Sequence, residues 1–242
     1  MDAEQRKESL KEIIRQIHGG ADPETMKRKF EETMKDVDPT EIGMAEQELV
    51  NEGMPQEEIR RLCDVHLAVM QDALGNRERE VPPGHPIHTF KEEHRLILQF
   101  LNALESAAAE IAADPGREAI AGRMPALKQA AGHLLEAEGH HVREENVLFP
   151  YMGKHGITEP PAVMWSEHND LRTLKKRVKE VIDSHKGLTP EQFAEELNGA
   201  VKALAPVLSS HIYKENNILY PMALDAISPD EWPEIRRECD EL

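Results

Sequence analysis

Apolar side chains recur three and four positions apart through long stretches of the chain, the spacing that marks one buried face of an α-helix. Four extended patterns cover approximately residues 87–113, 117–152, 160–186 and 190–225. They are separated by Asp114-Pro115-Gly116, by Gly153 through Pro161, and by Gly187 to Pro190. Thr189-Pro190-Glu191-Gln192 has the form of a capping box with Pro in the first turn. Long amphipathic helices joined by short connections predict antiparallel neighbours, hence an up-down four-helix bundle. A short tail helix is expected around 229–240, and Pro206 predicts a kink one turn before His211.

Shorter patterns precede the bundle. One runs from about Ser9 to His18 and closes at Gly19-Gly20. Asp22-Pro23 and Asp38-Pro39 each read as an N-cap followed by Pro in the first turn, opening helices to about Asp36 and Glu52. Gly53 ends the second of these, and Pro55 opens a helix carrying Ile59, Leu62, His66, Val69 and Met70 to Gly75. The fold class is therefore all-α. A small N-terminal helical domain occupies 1–76, a linker with Pro82-Pro83-Gly84 occupies 77–86, the bundle occupies 87–226, and a helical tail occupies 227–242.

Composition narrows the function. Among 242 residues, 29 Lys and Arg face 46 Asp and Glu, a formal charge of −17. Such a surface repels phosphate backbones and anionic headgroups, so neither nucleic-acid nor membrane binding is expected. No apolar run approaches the ~18 residues of a membrane span, and MDAEQRKESL lacks the apolar stretch of a signal peptide. Cys63 and Cys239 lie far apart and outside any CxxC pair, which reads as two ordinary helix residues in a reducing cytoplasm.

The chemistry lies in a repeat. His140-His141-Val142-Arg143-Glu144-Glu145-Asn146-Val147-Leu148-Phe149-Pro150 returns 71 positions later as His211-Ile212-Tyr213-Lys214-Glu215-Asn216-Asn217-Ile218-Leu219-Tyr220-Pro221. A His and a Glu four places on share one helix face. Glu93-His94 in the first long pattern is matched by Glu167-His168 in the third. His94 shares a stripe with Ile97, Leu98 and Leu101, and His140 and Glu144 continue to Val147, Leu148 and Tyr151. His211 and Glu215 continue from Leu204, Val207 and Leu208 to Ile218, and His168 lies between Trp165 and Leu171. Burying two carboxylates among aliphatics is costly unless they are paired or metal-bound. Four imidazoles and two carboxylates suit borderline metals, and the duplication points to two ions.

Other histidines are read as structural. His141 and Glu145 form a competing i,i+4 pair, but their repeat counterparts are Ile212 and Asn216, so an outer face is expected for both. His133 is assigned a structural role, and His85 and His88 are solvent or cap residues, with His88 the strongest substitute ligand. His18, His66, His155 and His185 have no repeat partner.

With these motifs in place, residues from about His85 to Asp225 resemble a hemerythrin-like, or HHE cation-binding, domain. The matching elements are the two Glu-His pairs, the two HxxxE motifs and their LFP and LYP endings. The resemblance implies two non-haem irons bridged by carboxylates and an oxo or hydroxo group, with O2 or NO as the small-molecule ligand. Its ligands on this chain are His94, His140, Glu144, His168, His211 and Glu215. Oxygen-carrying hemerythrins have a further His four places after the third-helix His, where this chain has Arg172, and a carboxylate five places after the fourth-helix His, where it has Asn216. The set is closer to that of di-iron proteins that repair iron centres, in which acidic residues flank the site; Glu136 and Glu167 are the candidates here. Residues 40–70 resemble a helical domain of unknown function found fused to hemerythrin-like domains. A protein partner, if there is one, is expected to bind through that domain.

Overall fold

A computed structural model describes residues 3–33, 39–55 and 79–242, and among these every regular element is helical. Beyond Pro55 itself, the helix expected to run to Gly75, and with it Cys63, lies outside the described residues. The chain divides into two compact units, one of Met1–Glu80, Leu148–Met164 and Tyr213–Trp232, the other of Val81–Val147, Trp165–Ile212 and Pro233–Leu242.

The first unit begins with three helices, α1 (Ala3–His18), α2 (Pro23–Thr33) and α3 (Pro39–Asn51). Leu10, Ile13, Ile14 and Ile17 of α1 pack with Met26 and Phe30 of α2 and Ala45 and Leu49 of α3 in one apolar cluster. Lys11 is also buried; its ammonium lies among Glu8, Glu48 and Glu52, so that acidic group already surrounds a cation. The same unit contains α7 (Phe149–Lys154) and α10 (Tyr220–Ala226), and α3 packs against α10 and the π-helical turn Glu215–Leu219 that precedes it. Gly43 makes this approach possible, because a Cβ there would lie 2.6 Å from Met222 Sδ. Gln47 Oε1 accepts hydrogen bonds from the backbone N–H groups of Thr158 (3.3 Å) and Glu159 (2.9 Å), capping the start of α8 (Glu159–Ser184).

The second unit holds the body of the bundle. Its helices are α4 (Pro86–Ala113), α5 (Arg117–Glu136), α6 (Glu138–Arg143), most of α8, and α9 (Pro190–Lys214), with the tail helix α11 (Trp232–Asp240). His85 caps α4, its Nδ1 accepting from Ile87 N at 3.2 Å, and Pro86 opens the helix where an N–H would lack an intrahelical acceptor. Leu101, Leu104, Leu127, Leu134, Val178 and Leu197 are among the side chains that close one continuous core between the long helices. On length and composition alone, α4 is apolar enough to cross a membrane, contrary to the expectation from the sequence. Its apolar residues Ile97, Leu101, Leu104 and Ile111 are core residues of the bundle.

The second and fourth long patterns are not single α-helices. Each contains a five-residue π turn, Glu144–Leu148 and Glu215–Leu219, ending one residue before an aromatic-Pro pair. Proline has no N–H, and its ring collides with the carbonyl four residues back. For Pro150 and Pro221 those carbonyls belong to Asn146 and Asn217, inside the two π turns, and the wider turn relieves the collision. The Asn side chains supply donors there: Asn146 Nδ2 to Val142 O at 2.8 Å and Asn217 Nδ2 to Tyr213 O at 2.9 Å. Pro206 lies inside α9, which continues to Lys214; the change of helix type comes at Glu215.

Candidate metal centre

Five imidazoles and one carboxylate meet inside the bundle unit. His94 comes from α4, His140 and His141 from α6, Glu144 from the first residue of the π turn, His168 from α8 and His211 from α9. None is more than 3% exposed. His94 Nε2 faces His140 Nε2 at 3.0 Å. Two nitrogens each about 2.1 Å from a common ion, at a right angle around it, lie about 3.0 Å apart, so the pair has the separation of neighbouring ligands. Glu144 Oε2 stands 3.3 Å from His140 Nε2 and 3.4 Å from His168 Nε2. One carboxylate oxygen is thus within reach of imidazoles from two different helices. His168 and His211 meet edge-to-face with centroids 4.8 Å apart.

The outer nitrogens are held by carboxylates. His140 Nδ1 donates to Glu93 at 2.8 Å, His168 Nδ1 to Glu145 at 2.8 Å, and His211 Nδ1 to Glu167 at 2.8 Å. A proton fixed on Nδ1 leaves the Nε2 lone pair of each ring for a metal, the usual way second partners set the tautomer. Arginines anchor two of the carboxylates in turn: Glu93 pairs with Arg143, and Glu145 accepts from Arg172 Nη2 at 2.9 Å. Burial works against ionisation of Glu93. The hydrogen bond from His140 and the charge of Arg143 outweigh it, and the carboxyl sits below its ordinary range. The same balance, struck by His168 and Arg172 against burial, holds Glu145 low. These rings therefore rest on ionised carboxylates.

His94, His140, Glu144 and His168 lie together as just described, and Glu167 is the acidic residue behind His211. Glu215 is fully buried and opens the second π turn, four residues after His211, in the other compact unit. Glu136 is exposed and accepts from His133 Nδ1 at 3.0 Å, while the His133 ring stacks on Phe100. His88 is half-buried in the first turn of α4 and is absent from the converging groups found among the described residues.

The outer-face expectation for His141 and Glu145 is wrong. His141 is 2% exposed and lies flat against His168, with centroids 4.0 Å apart and planes 9° from parallel. Burial, reinforced by His168 and Lys175, pushes its protonation far below the usual histidine range, so the ring is neutral. Its repeat counterpart Ile212 is itself a core residue at 3% exposure, so comparison with Ile212 gave no reason to expect solvent. Helix α5 also stops at Glu136, and α6 with the π turn follows it, so the phase of an unbroken helix does not apply. Glu93 was visible in the sequence only as half of a repeated Glu-His pair. The pair is repeated because each Glu backs the imidazole of the following helix: Glu93 that of His140, Glu167 that of His211.

A buried set of imidazoles and carboxylates, with outer nitrogens fixed, has the donor chemistry of a site for borderline first-row metals. The fold and this donor set define a cation-binding helical bundle. The chain belongs to the hemerythrin HHE cation-binding domain family, which matches residues 85–223, more than half of its length. Residues 10–76 match a family of unknown function, DUF438. Among characterised relatives, the iron-sulfur cluster repair protein DnrN of Neisseria gonorrhoeae is 28% identical over 148 residues, 59% of this chain and 89% of the relative. The iron-sulfur cluster repair protein YtfE of Salmonella typhimurium is 35% identical over 97 residues, 37% of this chain. The YtfE of an Enterobacter species matches to the same extent. The chain spans 42% of the length of these two relatives.

Proposed function

We propose that this is a non-haem di-iron protein that binds or reacts with O2 or NO, serving iron-centre repair, detoxification or stress sensing. Its metal ligands in this reading are His94, His140, Glu144, His168, His211 and Glu215. The observation that supports it is Glu144 Oε2, 3.3 Å from His140 Nε2 and 3.4 Å from His168 Nε2, where the carboxylate could be shared by ions held on those imidazoles. Iron is preferred over manganese or zinc because the relatives are iron-sulfur cluster repair proteins. Two ferrous ions held there would supply electrons and a binding site to a diatomic gas. The chain's part is to orient His140, His168 and His211 through Glu93, Glu145 and Glu167, and to exclude bulk water from the donors. Two irons per chain after anaerobic loading is the expected result; substantially less overturns the reading. Glu144→Ala and Glu215→Ala are each expected to lose the second iron, and retention of both irons would remove the bridging role. The two-cysteine composition supports a cytoplasmic location.

A second reading, in which the N-terminal helices respond to the state of the iron, is favoured by one contact. Helix α3 packs on the π turn that begins at Glu215. A change in amide exchange of α3 between ferrous and oxidised protein, without turnover, is the expected signature. Storage or delivery of iron would show instead as ready transfer to an apo-acceptor.

A further inference from the structure

We propose that His141 is a metal ligand, a fifth imidazole of the centre, and that it and His168 serve adjacent ions side by side. The proposal rests on the di-iron reading above and adds a residue to it. Three observations carry it.

His141, His168 and His211 each present a ring nitrogen within 4.8 Å of the others, and all three residues are buried. Ligands of one dinuclear site fall within such a radius. The rings of His141 and His168 are parallel within 9° at 4.0 Å. Ions in two-metal sites stand about 3.5–4 Å apart, so parallel rings at this spacing can each face a different ion.

The surroundings of His141 also repeat those of its neighbours. His140 is backed by Glu93, itself paired with Arg143, and His168 by Glu145, itself paired with Arg172. Behind His141 Nδ1 lies Glu138 Oε2 at 3.6 Å, and Glu138 Oε1 accepts from Arg172 Nε at 2.7 Å. The same order of imidazole, carboxylate and arginine therefore occurs a third time, with the first contact open by several tenths of an ångström. His141 Nδ1 makes no hydrogen bond. A buried polar atom left so is costly, and a ligated ring drawn against Glu138 would satisfy both nitrogens. Arg172 occupies the position one turn after His168 and points to Glu138 and Glu145, so α8 supplies only the His168 imidazole here.

The test uses the full chain and Co(II) alone as probe, with affinities from chelator competition. His141→Leu keeps an apolar side chain in the core and removes the donor. One of two bound Co(II) ions is expected to weaken by about tenfold or more, the scale of loss seen even for residues that only support ligands, with the melting temperature of the metal-free protein retained. His141→Gly is expected to recover that affinity when free imidazole is added, which a packing role would not produce. Unchanged affinity for both ions in His141→Leu overturns the assignment. Should these variants not fold, Co(II)-loaded wild-type protein decides the matter by NMR. Five hyperfine-shifted imidazole N–H signals count His141 with His94, His140, His168 and His211; four overturn it. Wild-type protein that binds no pair of Co(II) ions overturns the di-iron reading itself, a result distinct from a wild type that binds two and a variant that binds them equally well.

Discussion

His168 Nδ1 donates to Glu145 Oε1 across 2.8 Å, tying the imidazole of α8 to a carboxylate of the first π turn. Glu145 in turn accepts from Arg172, so the ring is oriented by a charge that is itself fixed. Glu145→Ala should therefore leave the ligand in place but loosely aimed. A loss of about 10–100-fold in metal affinity is expected, read by chelator competition. Unchanged affinity would mean that packing alone orients His168.

Glu93 does the equivalent work for His140, and its ion pair with Arg143 extends to the surface. Arg143→Ala is expected to weaken metal binding less than Glu93→Ala, because it removes support one step further from the ring. Equal losses for the two variants would show that Arg143 acts on the site by another route.

Pro150→Ala restores a backbone N–H and removes the ring collision that favours the first wide turn. The restored N–H can close one further backbone hydrogen bond, worth about 1 kcal/mol, so the metal-free variant should melt at a higher temperature. Metal affinity should fall in the same variant, since Glu144 opens that turn. A rise in both quantities would separate the turn from the site.

Around Lys11 the pH dependence has a definite sign. Hydrogen bonds to Glu52 and Glu8, against burial, raise the ammonium well above its ordinary 10.5, and the bond from Lys7, followed by Lys11, holds Glu48 below its ordinary 4.5. A raised base stabilises fully below its unfolded value and loses that contribution as pH rises through the folded one. A lowered acid stabilises above its unfolded value and loses the contribution as pH falls through the folded one. Amide protection of α1 should thus be flat between 4.5 and 10.5 and decline on either side. Lys11→Met should make the acid limb shallower; an unchanged limb would assign it to other carboxylates.

Most of the bundle was legible because helix punctuation is local chemistry: Asp114-Pro115-Gly116 and Thr189-Pro190 stop and start helices where the structure does, at Ala113 and Pro190. The converging His94, His140, Glu144 and His168 were legible too, since the repeated HxxxE motifs and the matched Glu-His pairs show which side chains share a face. What escaped was misjudged through the repeat: His141 and Glu145 were compared with Ile212 and Asn216, but Ile212 is itself a core residue, and a wide turn follows in each copy. The recurring Pro150 and Pro221 carried the signal, each preceded four places back by Asn. Glu138 had no repeat partner to draw attention to it, and its place beside His141 and Arg172 is purely tertiary.

The two wide turns have a consequence for the ancestry of the chain. A π turn is an α-helical turn holding one residue more than its neighbours, so each records a tolerated insertion. Both halves contain it at the same point, with the same Asn and the same Pro. The simplest history is that the insertion came before the duplication, and that the ancestral hairpin already carried a His and a Glu on a deformed helix. Two such hairpins would then have brought together a pocket that neither enclosed alone.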